Sequence, residues 1–485
     1  MKHKSKKEAK EAYDFSKAKR EGKLQWYELA AKKQFDKSTD GSQNKKVEQK
    51  VEPKIDSKTE PKTEQDKNVQ KKQKIHKSTE NKKSNIPAME PLEKMFSKKQ
   101  VPSDANKILE EFDKIVFDSQ RISSKQRALL LNQVRELSHT LTDQRDSRRK
   151  GYMNETTTLS AYIYYFEWWN LVRLTRLFAG LQNKFNLDDG NICLDIGSGP
   201  LTLPIALFLA RPDLREKKLT WYCLDISSAT LSAGENLYYS ICAKLKCEPW
   251  KIVRVKGEMG TIIKEKADFV SSANMFNEIL QSSDMPPDYL SKKYTQVLSG
   301  YGKEDCNIMV VEPGVPANAR FVSLLRDSLM RKNFVPVAPC THCGECPMDG
   351  KRGGKWCNFA FSTDDAPVSL LKFSESCHLP KERAVLSFIL VKSSNKELAV
   401  EDESKVEENS TGAVNSTSKK KILFRIASDL IRLPGNRRGY YACSNEGLLL
   451  VETKHSLKSG EVYKIARPKK APKIDEKSGA LFVNL

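Results

Sequence analysis

No apolar run in this chain approaches the ~20 residues that a helix needs to cross a bilayer, which excludes a membrane-spanning helix. An apolar core of roughly 7–15 residues is also missing near the start, where Glu8, Glu11, Asp14 and Glu21 interrupt the lysines. That argues against both a secretory signal and a mitochondrial transit peptide. Internal repeats are absent too, which excludes a solenoid or array. Apolar periodicity is almost lacking in residues 1–100, which carry 28 Lys+Arg against 16 Asp+Glu. Runs such as Lys45-Lys46-Val47-Glu48-Gln49-Lys50 and Lys71-Lys72-Gln73-Lys74 bury too little carbon to offset the entropy of ordering. Residues 1–100 are therefore expected to be a largely disordered Lys-rich arm, with a short helix around Tyr13, Phe15, Trp26, Tyr27 and Leu29 and disorder over 38–90.

What is present starts with charge: 485 residues carry a net +21, and 55 Lys+Arg against 46 Asp+Glu lie beyond residue 100. Such a balance suits a phosphate-rich partner. The eleven cysteines are odd in number and fall mostly in apparent strands and helices. That suits a reducing compartment rather than a disulfide framework, and the expected location is cytoplasmic.

Ser103-Asp104 caps a helical stretch over 104–150 whose Ile108, Phe112, Ile115 and Val116 recur at helical spacing, with a second helix from Ser124 to Thr140. An aromatic-rich helix follows from Leu159 to Leu181, its Tyr162, Tyr164, Tyr165, Phe166, Trp168 and Trp169 read as core packing. Residues 104–185 form the expected helical domain. From 190, short buried runs alternate with amphipathic stretches. The expected strands are Asn191–Ile196, Leu219–Asp225, Ile252–Val255, Ala267–Ser272, Cys306–Glu312, Phe334–Ala338 and Arg383–Val391. Helices Leu201–Ala210, Ala229–Leu245 and Ala317–Arg331 lie between them, which predicts a parallel α/β sheet over 190–392. A polar linker over 393–420 leads to a small β-rich unit, 421–485, with strands Lys421–Ile426, Arg438–Cys443, Gly447–Thr453 and Glu461–Ile465.

The first strand ends in Asp195-Ile196-Gly197-Ser198-Gly199-Pro200, and the second in Asp225-Ile226. Glycines there let the backbone turn sharply and approach a ligand, while Asp225 is placed to accept hydrogen bonds from a ribose diol. The third glycine of a dinucleotide site is replaced by Thr202. The acid before the turn favours S-adenosylmethionine, with Asp195, Gly197, Gly199, Pro200, Asp225, Ile226 and Asn274 as cofactor-binding candidates. Ser271–Glu278 ends the fourth strand where an acceptor would meet the cofactor. Asn277 and Glu278 could polarise or deprotonate it, and helix capping accounts for both equally well. No Asn/Asp-Pro-Pro-aromatic signature of amino methyltransferases occurs.

Four cysteines, Cys340, Cys343, Cys346 and Cys357, fall within eighteen residues at spacing x2, x2 and x10. Thiolates repel, and they cluster when a cation neutralises them. The second Cys-x2-Cys knuckle of a structural zinc site is missing, so iron–sulfur ranks first and zinc second.

The order Asp-Ile-Gly-Ser-Gly-Pro, Asn-Met-Phe-Asn-Glu, Val-Glu-Pro-Gly-Val-Pro, Ala-Pro-Cys-x-His-x3-Cys-Pro and Trp-Cys-Asn-Phe resembles the small-ribosomal-subunit methyltransferase-like family of bacteria and mitochondria. Further matches are Arg432-Leu433-Pro434, Arg437-Arg438-Gly439, Cys443 and Tyr463–Arg467, so the likeness spans roughly residues 120–475. The resemblance implies a class I methyltransferase (Rossmann-like) sheet with N-terminal helices, a cysteine-rich insertion over 339–360 and the C-terminal β-unit. It implies a monomer that acts on, or helps assemble, the small ribosomal subunit through its rRNA. It also implies a [4Fe–4S] cluster on Cys340, Cys346, Cys357 and the distant Cys443, leaving Cys343 as an extra thiol. Two positions depart from the family: Gly-Pro-Gly is here Gly199-Pro200-Leu201, and Pro-Cys-Pro-His is Pro339-Cys340-Thr341-His342. A catalytic methyltransferase is the first expectation, a non-catalytic assembly factor the second, and an iron–sulfur redox protein the third.

Overall fold

The computed structural model describes residues 90–120, 122–142, 151–351, 354–394, 421–467 and 472–485. The arm and its short helix over 1–89, the basic cluster 145–150 and most of the linker, 395–420, lie outside them. Residues 90–100 do not belong to an arm. Met95 and Phe96 are buried, and Leu92 and Glu93 bond to Val462.

Alternating buried runs build β1 (Ile192–Ile196), β2 (Thr220–Asp225), β3 (Lys251–Lys256), β4 (Ala267–Ala273), β5 (Gly302–Pro313), β6 (Phe334–Ala338), β7 (Phe359–Ser362) and β8 (Arg383–Ser393). They form one sheet in the order β3-β2-β1-β4-β5-β8-β6, with β7 added to β8. The first five are parallel, whereas β8 runs antiparallel to β5, β6 and β7. The sheet is thus mixed at one edge rather than wholly parallel, with β8 inserted in reverse between β5 and β6. A parallel 3-2-1-4-5 run closed by a reversed strand between the fifth and sixth is the class I methyltransferase topology.

The N-terminal residues form α1 (Ser103–Glu110), α2 (Phe112–Ser119), α3 (Ser124–Thr142), α4 (Thr156–Ala161), a π turn (Tyr162–Glu167) and α5 (Trp168–Gly180). They are not a separate domain. Phe112, Trp168 and Leu177 share one hydrophobic core with Leu203 and Phe208 of α6 (Thr202–Ala210) and with Trp221 of β2. Crossovers are made by α6, α7 (Pro212–Arg215) and α8 (Ser228–Leu245), and then by α9 (Phe276–Ser282), α10 (Pro287–Tyr301) and α11 (Pro316–Met330). Before β8 lies α12 (Val368–Ser376).

The C-terminal residues form a second sheet of β9 (Lys421–Ile426), β10 (Ile431–Leu433), β11 (Arg437–Ser444), β12 (Gly447–Glu452), β13 (Val462–Ala466) and β14 (Leu481–Asn484), in the order β13-β9-β11-β12-β14. Its inner face carries its own small core around Phe424, Ala442, Leu449 and Tyr463. Its other contacts, Tyr441, Cys443 and Leu448, pack on the core of the larger sheet. Arg425 of β9 is buried and ties the units together. It donates to Pro339 O at 2.5 Å, Gly460 O at 2.7 Å and Glu93 Oε2 at 2.7 Å.

Candidate functional site

At the carboxyl end of β1 the chain turns through Gly197 (φ +68°) and Gly199 (φ +54°), backbone angles that favour glycine. A Cβ on Gly197 would lie 2.8 Å from Met275 Cγ, so the turn and the end of β4 approach closely. Asp225 at the end of β2 accepts from Gly199 N and Ser227 N, both at 2.9 Å, fixing the loop to the neighbouring strand. Ile226 beside it is 39% exposed, an apolar face at the pocket rim. Pro200 lies against α8, where Gly234 allows the contact: a Cβ there would sit 2.3 Å from the Pro200 carbonyl carbon. Asp195 is buried and accepts from Ser271 Oγ at 2.8 Å; burial pushes its carboxyl up to about 7.

The β4 end bends through Asn274, which adopts φ +56°. Glu312, at the end of β5 and fully buried, accepts from Phe276 N at 2.8 Å and Asn277 N at 2.9 Å. It therefore caps α9 from a different strand. Asn277 Nδ2 donates to Asn274 O at 2.6 Å, and Glu278 Oε1 accepts from Tyr152 at 3.3 Å. Glu312, not Asn277, is thus the cap, and the Asn277 amide is held against the β4 end. Asn274 Oδ1 is held by Arg173 Nη2 of α5 at 2.9 Å, and the same guanidinium donates to Asn170 Oδ1 and Val385 O.

Arg173 belongs to a group that sequence reasoning assigned to core packing. The π turn places Tyr162 within electrostatic reach of Glu167, Glu278, Arg173 and Asp225, and its hydroxyl accepts from Asn170 Nδ2 at 3.3 Å. Glu167, at the end of that turn, is fully buried and accepts from Thr202 Oγ1. Desolvation pushes its carboxyl up to about 8, and the charge of Asp195 adds to the rise. Among the described residues nothing hydrogen-bonds to Glu167 Oε1 or to Arg173 Nε, both of them buried atoms. The only legible hint was a charged residue within an aromatic run, Glu167 between Phe166 and Trp168.

The second constellation is the cysteines. Cys340, Cys346, Cys357 and Cys443 feel one another's charge although Cys443 lies on a different sheet. Burial raises all four thiols above their ordinary range, Cys357 and Cys443 most. Cys343 is exposed. Arg326 of α11 donates to Cys340 Sγ at 3.2 Å, to Gly344 O at 2.7 Å and to His342 O at 3.2 Å. His342 Nε2 lies 3.2 Å from Cys443 Sγ. Among the described residues no group of three or more His, Cys, Asp or Glu side chains forms a preset metal cage. The fold gathers the four thiols into one region and leaves Cys343 on the surface.

The model of the family described as "Mitochondrial small ribosomal subunit Rsm22" matches residues 189–470, more than half of the chain. This chain belongs to the Rsm22 family. Solved structures that it is similar to include a methyltransferase from Pyrococcus furiosus (10% identity, TM-score 0.27, 54% of this chain and 98% of that one). Another is a SAM-dependent methyltransferase from Thiobacillus denitrificans in complex with S-adenosyl-L-homocysteine (12%, 0.28, 45% and 90%). A putative RNA methyltransferase from Pyrococcus horikoshii is a third (13%, 0.27, 46% and 83%). No curated protein matches the chain.

The Rsm22 match contains the glycine turn, Asp225, the α9 cap and all four gathered cysteines. It begins after α5, so Tyr162, Glu167, Asn170 and Arg173 stand outside it. No helix among the described residues is long and apolar enough to cross a membrane.

Proposed function

We propose that this chain binds S-adenosylmethionine at the β1–β2–β4 ends and acts on, or assembles, the small ribosomal subunit through its rRNA. The observation that carries the reading is a cofactor-type glycine turn with buried, unpartnered polar atoms beside it, in a chain of a small-subunit family. Asp225 would take the ribose diol, Ile226 would cover one face of the base, and Asp195 would face the methionine end across Gly197 and Gly199. Pro200 fixes the turn that Gly199 allows. The bound cofactor would supply a methyl group on a sulfonium, and the chain's own contribution is to orient an acceptor and exclude water at Asn274. Exposed Arg432 and Arg438, directly paired across β10 and β11, add a phosphate-seeking patch.

A second reading, an assembly factor without transfer activity, is favoured by one observation. The Asn277 amide is spent on the Asn274 carbonyl, and Asn274 Oδ1 is held by a cation rather than left to receive an amine. Tritiated S-adenosylmethionine separates the two. Binding with label passed to immature small subunits supports the enzyme, binding without transfer supports the assembly factor, and no binding sinks the enzyme and the cofactor site alike.

A [4Fe–4S] cluster is our reading for Cys340, Cys346, Cys357 and Cys443. The donor chemistry fits: four soft thiols, with the cations Arg326 and Arg425 near enough to stabilise thiolate. Such a centre would join the β-unit to the larger sheet. The compartment follows the ribosome served. The family's description names the mitochondrion, and fractionation with a tagged chain tests whether this chain is found there.

A further inference from the structure

Glu167 has no role in the account above, yet it is among the most costly groups in the molecule. A fully buried carboxyl with one oxygen unpartnered forfeits solvation without recovering it. Its position comes from backbone geometry. The Tyr162–Glu167 segment is a π turn between two α-helical stretches, a distortion frequent at functional sites. That turn sets Glu167 against Thr202, the first residue of the helix after the glycine turn, and brings Tyr162 within the field of Glu278 and Asp225.

The groups facing Glu167 are few. Thr202 donates to it from α6, Asp195 opposes it from β1, and Tyr162 lies on its own turn. Around Tyr162 stand Asp225, Glu278 and the cation Arg173, which also faces Glu312 and Lys381. Acids outnumber cations here, so the region is built to receive positive charge.

We propose that Glu167 is the charge-selecting residue of the pocket, favouring sulfonium-bearing S-adenosylmethionine over its neutral thioether product, S-adenosylhomocysteine. This rests on the reading that the pocket binds that cofactor. The two ligands share adenosine and the amino-acid end, and they differ by one methyl and one positive charge. A buried carboxylate acts on that difference through the field, without contact, because the surroundings screen it poorly. With its carboxyl pushed up to about 8, Glu167 is mostly protonated at pH 7 before the ligand arrives. A cation stabilises the carboxylate, so binding drives the Glu167 proton into solvent. Affinity for the sulfonium form therefore rises as pH increases from about 6 towards 8, while affinity for the thioether stays nearly flat. Asp195, at about 7, contributes to the lower part of that rise and remains in any Glu167 variant.

The test is calorimetric titration of the full chain with each ligand from pH 6 to 9, in buffers of different ionisation enthalpy to count released protons. For Glu167→Gln, which keeps shape and the Thr202 bond, the preference for S-adenosylmethionine should fall about tenfold. The proton release above pH 7 should be lost. Melting of the ligand-free variant should be unchanged near pH 7 and higher near pH 9, where Gln cannot take on the buried charge that Glu167 acquires. Thr202→Val provides a second route. It removes the bond that lowers the Glu167 pKa, so the rise in affinity should move to higher pH. An unchanged preference and unchanged pH slope in both variants would overturn the proposal. A wild-type chain that binds neither ligand at any pH overturns the cofactor reading itself, and this inference falls with it.

Discussion

Single atoms decide how near the glycine turn can come to the rest of the pocket. Gly234 has an ordinary helical backbone, so its value is spatial. Its missing Cβ leaves room for the Pro200 carbonyl, which is backbone and cannot rotate away. Gly234→Ala should cost about 3 kcal/mol by overpacking and displace the turn. Chemical denaturation should show the loss, and S-adenosylmethionine affinity should drop together with it. A variant with wild-type stability would show that α8 slides freely over the loop. Leu201 is the contrasting case. It occupies φ +61° where the family has glycine, a backbone cost of roughly 1–2 kcal/mol, and offsets it by burying the whole side chain. The departure from Gly-Pro-Gly is thus compensated within the residue itself.

Elements explain which parts of the molecule were legible in the chain. Strands β1, β2, β4 and β9 were visible because each is a mostly apolar run of five to seven residues. Strands β7, β10 and β14 were not, since each is only three or four residues long and exists by pairing with β8, β11 or β12. The π turn was hidden for a related reason: aromatic spacing marks burial but not the extra residue that rotates Glu167 towards Thr202. The cysteines were legible in part. Local spacing favours Cys340, Cys343, Cys346 and Cys357, and only a pairing of β9 with β11 brings Cys443 to the other three. The long-range set makes a sharp prediction. After anaerobic reconstitution, Cys443→Ser should abolish the iron–sulfur charge-transfer absorbance and most bound iron, while Cys343→Ser should keep both. The opposite pattern would restore the local ligand set.

At the scale of the whole molecule the pocket is a store of unfavourable charge. Burial pushes Asp195 up to about 7 and both Glu167 and Glu312 up to about 8, each well above the ordinary carboxylate range. The folded state therefore holds these protons across pH values where the unfolded chain has released them. Stability from this source is complete below about pH 4, and it is lost as pH rises through 7 and 8. The ligand-free chain should accordingly melt at a higher temperature at pH 5.5 than at pH 8, opposite to the trend of carboxylates engaged with cations, such as Glu93 with Arg425 and Lys184. A saturating sulfonium ligand should restore much of the loss at pH 8, because it supplies the missing positive charge and stabilises the folded state by mass action. Melting curves at the two pH values, with and without S-adenosylmethionine, measure both effects. A ligand-free melting temperature that rises between pH 5.5 and 8 would mean the three carboxyls are solvated in solution, and the charge store would not exist.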